Sequence, residues 1–225
     1  MEFILNIHTS TETAVVNLCD DKYVLSSMHN TEPKQHAGFL HSAIQNLLEE
    51  NSVEINQLKA IGVTIGPGSY TGIRVGLATA KGLCYALKIP MITMNTLEVM
   101  ALTAINMVKN ADCFYCPMLD ARRMEVYTGV YTYYLKEVRA PEAIILNKNS
   151  FSEIADRMKM IIFGNGSEKF KNFNPDLNAS FIDCDAISDA SFAIMSANKY
   201  NEKLFADIAY AEPLYLKDFY SNVNK

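Results

Sequence analysis

Residues 60–72 hold the feature that most constrains the fold. A nearly uncharged strand-like run, 60–65, ends in Gly66-Pro67-Gly68-Ser69-Tyr70-Thr71-Gly72, and a helical segment, 71–87, follows at once. A strand that feeds a helix through glycines belongs to an α/β protein with a buried sheet. Glycines allow positive φ and close backbone approach. The first N–H groups of the helix lack internal partners, so they take an anion or the oxygen of a capping hydroxyl. Ser69 and Thr71 can both supply that hydroxyl. A P-loop requires Gly-x4-Gly-Lys-[Ser/Thr], and the first lysine after the loop is Lys81. A dinucleotide fingerprint requires Gly-x-Gly-x-x-Gly; here three residues separate Gly68 from Gly72. A self-capped tight turn and an anion cradle both remain open.

The helix after the loop carries two stripes of small residues. Gly72, Gly76 and Ala80 form one; Ala78, Gly82 and Ala86 form the other. At ~100° per residue they lie on nearly opposite faces. Arg74 and Lys81 are the only charges between 71 and 87. A helix apolar on both sides is covered on both sides. One side meets the sheet. The other meets a second helix, in this chain or in a partner. The preceding helix, 35–50, buries Ala37, Leu40, Ile44, Leu47 and Leu48 on one face and leaves Phe39 and Ala43 off it.

The remaining pattern supplies the rest of the architecture. Strands at 3–7, 14–18 and 23–28 make a meander, and a strand at 91–94 and a helix at 96–108 follow the glycine helix. Residues 1–108 thus read β-β-β-α-β-α-β-α. Strands at 114–119, 125–132 and 143–146, a helix at 152–158, a strand at 160–163 and a helix at 188–205 form a second, smaller unit of similar order. The division falls near 108/109, with residues 109–225 as the second half and its final segment packing back on the first. Hydrophobic residues make up 49% of the 225, enough for a substantial core. Net charge is −5 and neither half is basic, which disfavours a broad nucleic-acid footprint. The longest uncharged stretches, 35–48 and 60–73, fall short of the ~18 residues of a membrane span. The opening residues read as a strand rather than a secretion signal. Five cysteines at irregular spacing argue against a disulfide framework and for a reducing, cytoplasmic setting.

Candidate chemical groups are sparse. Cys113-Phe-Tyr-Cys116 lacks the second pair of a zinc site, and on a strand its two thiols point to opposite faces. His36 and His41 lie ~140° apart on a helix and share no ligand face. His8 and His29 have no evident partners. Asp120, Arg122, Arg123 and Glu125 read as a solvated hairpin turn. No catalytic constellation and no metal site is assembled by these patterns.

Four segments carry a resemblance. The opening Ile4-Leu5-Asn6-Ile7-His8-Thr9-Ser10-Thr11-Glu12, the glycine string from Gly66 through Gly76 with Ala78-Thr79-Ala80-Lys81-Gly82-Leu83, the turn Asp120-Ala121-Arg122-Arg123-Met124-Glu125-Val126-Tyr127, and the closing Ala211-Glu212-Pro213-Leu214-Tyr215-Leu216 resemble, in order, the motifs of the bacterial TsaB family. The resemblance implies an actin-like ATPase fold of two similar βββαβα halves, the second reduced. It implies a non-catalytic partner of a larger paralogue, TsaD, which with the ATPase TsaE transfers a threonylcarbamoyl group to N6 of an adenosine beside the tRNA anticodon. The contact with TsaD is expected through the first two helices, with Phe39, Ala43, Ala78, Gly82 and Ala86 at the interface. The glycine loop, Gly66 to Gly72 with Arg74, is expected to hold an anion or nucleotide or to join the interface. No firmly bound cofactor is expected, though a nucleotide fits the scheme at a subunit interface. A homodimer is expected for the lone chain, tRNA contact only through the complex, and no membrane. His8 stands where the family usually carries an acid, and an aspartate at this strand end helps organise metal and phosphates in active members of the superfamily. The alternative function is a small actin-fold nucleotide-binding enzyme of kinase or ATPase type. A peptidase, for which no zinc motif or nucleophile–base spacing is visible, and a lone tRNA-binding module are weaker.

Overall fold

The computed structural model describes residues 3–32, 36–171, 173, 177–184 and 187–217. The first sheet is built from β1 (Phe3–His8), β2 (Ala14–Asp20), β3 (Tyr23–Asn30), β4 (Leu58–Thr64) and β5 (Met91–Met94). Its strand order is β3-β2-β1-β4-β5, antiparallel through β1, β2 and β3 and parallel from β1 to β5. The second sheet contains β6 (Phe114–Asp120), β7 (Glu125–Tyr131), β8 (Glu137–Ile145), β9 (Met160–Phe163) and β10 (Ala179–Phe181). Its order, β10-β9-β6-β7-β8, repeats the first sheet strand for strand and with the same directions.

The helices differ between the halves. α1 (His36–Glu50), α2 (Tyr70–Leu87) and α3 (Thr96–Val108) are full-length, whereas α4 (Ser152–Ala155) and α5 (Glu168–Lys171) are single turns. α6 (Asp189–Asn201) closes the series. Three apolar clusters define the layers. Leu40, Ile44 and Leu47 of α1 and Leu77, Ala80 and Cys84 of α2 pack on Leu5, Ile7, Ile61 and Val63 of the first sheet. Each fully buried leucine, isoleucine or valine among them contributes ~1.5–3 kcal/mol. Phe151, Ala155 and Phe170 cover the outer face of the second sheet. Between the sheets lies a shared core, where α6 packs on β1, β2, β3 and β5, and α3 packs on β6, β7 and α6.

Several boundaries differ from the sequence reading. β8 begins at Glu137 rather than 143, because its edge position tolerates the charged Arg139 and Glu142 and the donor-free Pro141. α4 stops at Ala155 and α6 at Asn201, each earlier than expected. The three-residue β10 and the single-turn α5 are too short to leave a period in the sequence. Gln35, the expected start of α1, lies outside the described residues. Cys113 joins the shared core while Cys116 faces the outer cluster, as alternation on a strand requires. Burial pushes the Cys19, Cys84 and Cys116 thiols up to about 12. Among the described residues no helix is long and apolar enough to cross a membrane.

Candidate functional site

The glycine loop is a self-capped turn held against the end of β1. Ser69 Oγ accepts from the Gly72 N–H at 3.2 Å and is the N-cap of α2. Thr71 is exposed and does not cap. The Ser69 N–H donates to the Ser10 carbonyl at 2.7 Å, and Thr9 Oγ1 donates to the Gly72 carbonyl at 2.7 Å. Gly68, at φ 149°, lies so near the Ser10 carbonyl that any Cβ would collide with it. The same holds for Gly72 against the Thr9 carbonyl and for Gly76 against Thr9 Oγ1. These glycines make room for the β1–β2 turn.

His8 is buried at the end of β1. Its Nδ1 lies 2.9 Å from Thr64 Oγ1 and its Nε2 2.8 Å from Thr11 Oγ1. Ser10 Oγ joins Thr64 Oγ1 at 2.9 Å, and Phe192 of α6 meets the imidazole edge-on.

A cleft of about 900 Å³ opens between the two sheets' loop ends. Ser10, Thr11, Glu12 and the glycine loop form one wall; Asp120, Arg122 and Asn165 stand on the other. Asp120 is anchored rather than loose. Its N–H donates to Asn165 Oδ1, and its carboxylate accepts from Lys169 Nζ at 2.6 Å and from the Arg122 N–H at 2.5 Å. Burial works to raise the Asp120 carboxyl, but the Lys169 and Arg122 donors together outweigh it and hold it below its ordinary value. Arg74 is also engaged. Its guanidinium lies 3.7 Å from the Tyr70 ring centroid, and its Nε donates to the Tyr215 hydroxyl at 2.7 Å.

The two small-residue stripes of α2 separate cleanly. Gly72, Gly76 and Ala80 are buried; Ala78, Gly82 and Ala86 are exposed. A Cβ built on Gly82 meets nothing within 4 Å. α1 packs beside α2 without covering that stripe. Beside it stand Tyr85, 81% exposed, and a groove of about 570 Å³ lined by Ile44, Leu48, Val53 and Leu83. Phe39 is half-buried. Ala43, expected off the apolar face, is buried at 2% exposure in the core beneath α1. Positions 40, 43, 44 and 47 share one helical face, so Ala43 is a floor residue and not a surface one.

A family model described as TsaD, tRNA N6-adenosine threonylcarbamoyltransferase, matches residues 26–217. The tRNA threonylcarbamoyladenosine biosynthesis protein TsaB of Bacillus subtilis is 31% identical over 162 residues, which is 71% of this chain and 69% of that one. The chain belongs to the TsaB family. Its match to the TsaD model marks TsaB and that transferase as relatives within a broader family. YeaZ from Pseudomonas aeruginosa superposes with a TM-score of 0.83 at 23% identity, covering 96% of this chain and all of that one. An inorganic polyphosphate/ATP-glucomannokinase from Arthrobacter superposes at 0.51 and 11% identity, over 89% of this chain and 100% of the other. With the repeated sheet order, these place this TsaB chain in the actin-like ATPase fold.

That fold implies a magnesium nucleotide in the cleft, and the donors here do not fit one. Magnesium takes oxygen ligands. At the strand end this TsaB chain offers an imidazole with both nitrogens engaged by threonine hydroxyls, and across the cleft a carboxylate paired with Lys169. Among the described residues no group of three or more His, Cys, Asp or Glu side chains converges. Sequence reasoning missed Thr64, Lys169 and Lys217, whose partners lie 56, 49 and 92–96 residues away along the chain.

Proposed function

We propose that this chain serves the formation of N6-threonylcarbamoyladenosine in cytoplasmic tRNA as a non-catalytic subunit that binds and supports the catalytic paralogue TsaD. The observation that carries this reading is the exposed stripe Ala78, Gly82 and Ala86 on a helix whose other side is already buried. Small side chains let a partner helix approach to the short end of the usual ~8–10 Å range. Exposed Tyr85 stands beside that seam on the same helix, and half-buried Phe39 of α1 extends the contact within residues 1–108. The glycine loop acts as the rigid base of α2. TsaE and tRNA join through the assembled complex. A lone chain pairs with itself through the same face, since a sticky helix pair is self-complementary under two-fold symmetry. The His8 network supports the absence of a catalytic role, because it puts hydrogen-bonded imidazole at the position of a metal-organising acid.

The test is light scattering on a sizing column, with this chain mixed with the TsaD of its own genome. A stoichiometric complex is expected with the parent and its loss with Gly82→Arg, circular dichroism unchanged. An unaltered dissociation constant for that variant refutes the interface. The cleft of about 900 Å³ favours one second reading, a small nucleotide-binding enzyme of the same fold. Titration calorimetry of the lone chain with Mg-ATP decides it: micromolar binding with turnover establishes the enzyme, and no heat removes it.

A further inference from the structure

The segment after α6 takes an unusual path. It bridges the edge of the first sheet where the Ala206 N–H donates to the Met91 carbonyl at 2.8 Å. It then runs beside α2, where Lys81 Nζ donates to the Ala209 carbonyl. At Leu214 the N–H donates to the Ile65 carbonyl at 2.7 Å, and the Leu214 carbonyl fills the space that a side chain on Gly66 would need. Tyr215 then packs against Tyr70, ring centroids 5.3 Å apart, and its hydroxyl accepts from Arg74. Two residues later the Lys217 side chain reaches the other wall. Lys217 Nζ donates to the Ala121 carbonyl at 3.3 Å and pairs with the Glu125 carboxylate. Leu214, Tyr215, Leu216 and Lys217 all line the cleft that they cross.

We propose that residues 214–217 are a strap that sets the aperture of the cleft, with Tyr215 fastened to the first half and Lys217 to the second. Both fastenings are made by cations. Arg74 combines a stacked guanidinium with a hydrogen bond, and Lys217–Glu125 is a charged pair with both side chains largely shielded, at 31% and 20% exposure. The strap is also short: one residue, Leu216, separates the two anchors, so the walls can part little while both hold. Its first-half anchor lies in the first turns of α2, which links cleft aperture to the seat of that helix. This inference holds whether or not the α2 stripe binds TsaD.

The test uses the full chain with Glu12→Cys on one wall of the cleft and Arg123→Cys, next to the cleft-lining Arg122, on the other side, both exposed. The five native cysteines are buried, so spin labels go to the introduced thiols. Pulsed dipolar spectroscopy is run on this background with and without Lys217→Met, which keeps the aliphatic stem and removes the charge. The expected result is a longer-distance population absent from the parent, with the Leu214 amide exchanging roughly threefold faster, equivalent to ~0.6 kcal/mol of lost protection. Tyr215→Phe, which keeps the ring and removes the acceptor, gives the same direction with a smaller shift. Superimposable distance distributions in both variants overturn the strap, whatever the exchange rate does.

Discussion

Replacing Gly72 by alanine probes the packing that seats the glycine loop. The added Cβ would overlap the Thr9 carbonyl and press on Ser69 Oγ at 3.2 Å. Both neighbours are fixed, since Thr9 is fully buried and Ser69 caps the helix. Forcing one carbon into such a site costs ~1–3 kcal/mol. Displacing the β1–β2 turn also breaks the Thr9–Gly72 hydrogen bond, worth ~1 kcal/mol. Against this stands a helix-propensity gain of at most ~1 kcal/mol. The balance is a loss of about 2 kcal/mol, or about 4–8 °C in Tm for a chain of this size. Gly82→Ala supplies the control within the same helix. Its Cβ enters open space, so only the propensity gain remains, and Tm rises by about 2–4 °C. The chain has no tryptophan, so melting is followed by far-ultraviolet circular dichroism and tyrosine emission. Shifts of the same sign in the two variants refute the account of the loop.

Three further outcomes follow from the same contacts. His8→Leu removes the two hydrogen bonds of the imidazole, while Ser10 Oγ and the Thr13 carbonyl still serve the Thr64 and Thr11 hydroxyls, so urea denaturation should show a loss of about 1 kcal/mol. Asp120 is held below its ordinary value, so its ion pair with Lys169 stabilises above ~pH 4 and is lost as pH falls through the lower folded value. Lys169→Met should therefore cost about 0.5 kcal/mol at neutral pH, a small figure because Asp120 is 41% exposed, and urea curves of parent and variant should converge in acid. Ellman's reagent at pH 8 should find no rapidly reacting thiol in the folded chain and five after unfolding, since all five cysteines are buried.

Much of this was legible from short-range pattern. A hydroxyl cap at Ser69 or Thr71, the strand before it and the opposed stripes of α2 all express a local period or spacing, and the structure assigns the cap to Ser69. Alternation alone separated Cys113 from Cys116. What was not legible depends on distant partners. Asp120 looked like a solvated turn because Lys169, which anchors it, lies 49 residues onward in a single-turn helix with no period of its own. Ala43 was misplaced because alanine is too small to declare a face, and only its packing beneath α1 assigns it. Tyr215 sat in a recognisable motif and Lys217 directly after it, yet nothing in the motif discloses that this segment bridges two walls.

The crossing of α6 onto the first sheet has a consequence for synthesis. Ile4, Ala60, Ile92 and Met94 wait for Phe192 and Met195, which leave the ribosome about a hundred residues after β5 is complete. At ~5–20 residues per second, one side of the first sheet stays without its cover for roughly 5–20 s. Asn6 and Asn17, paired across β1 and β2 on that side, give the waiting surface a polar centre that is ill-suited to sticking elsewhere. The nascent first half is thus a bound intermediate of translation, and a stop codon anywhere before residue 189 would release a chain with that side bare.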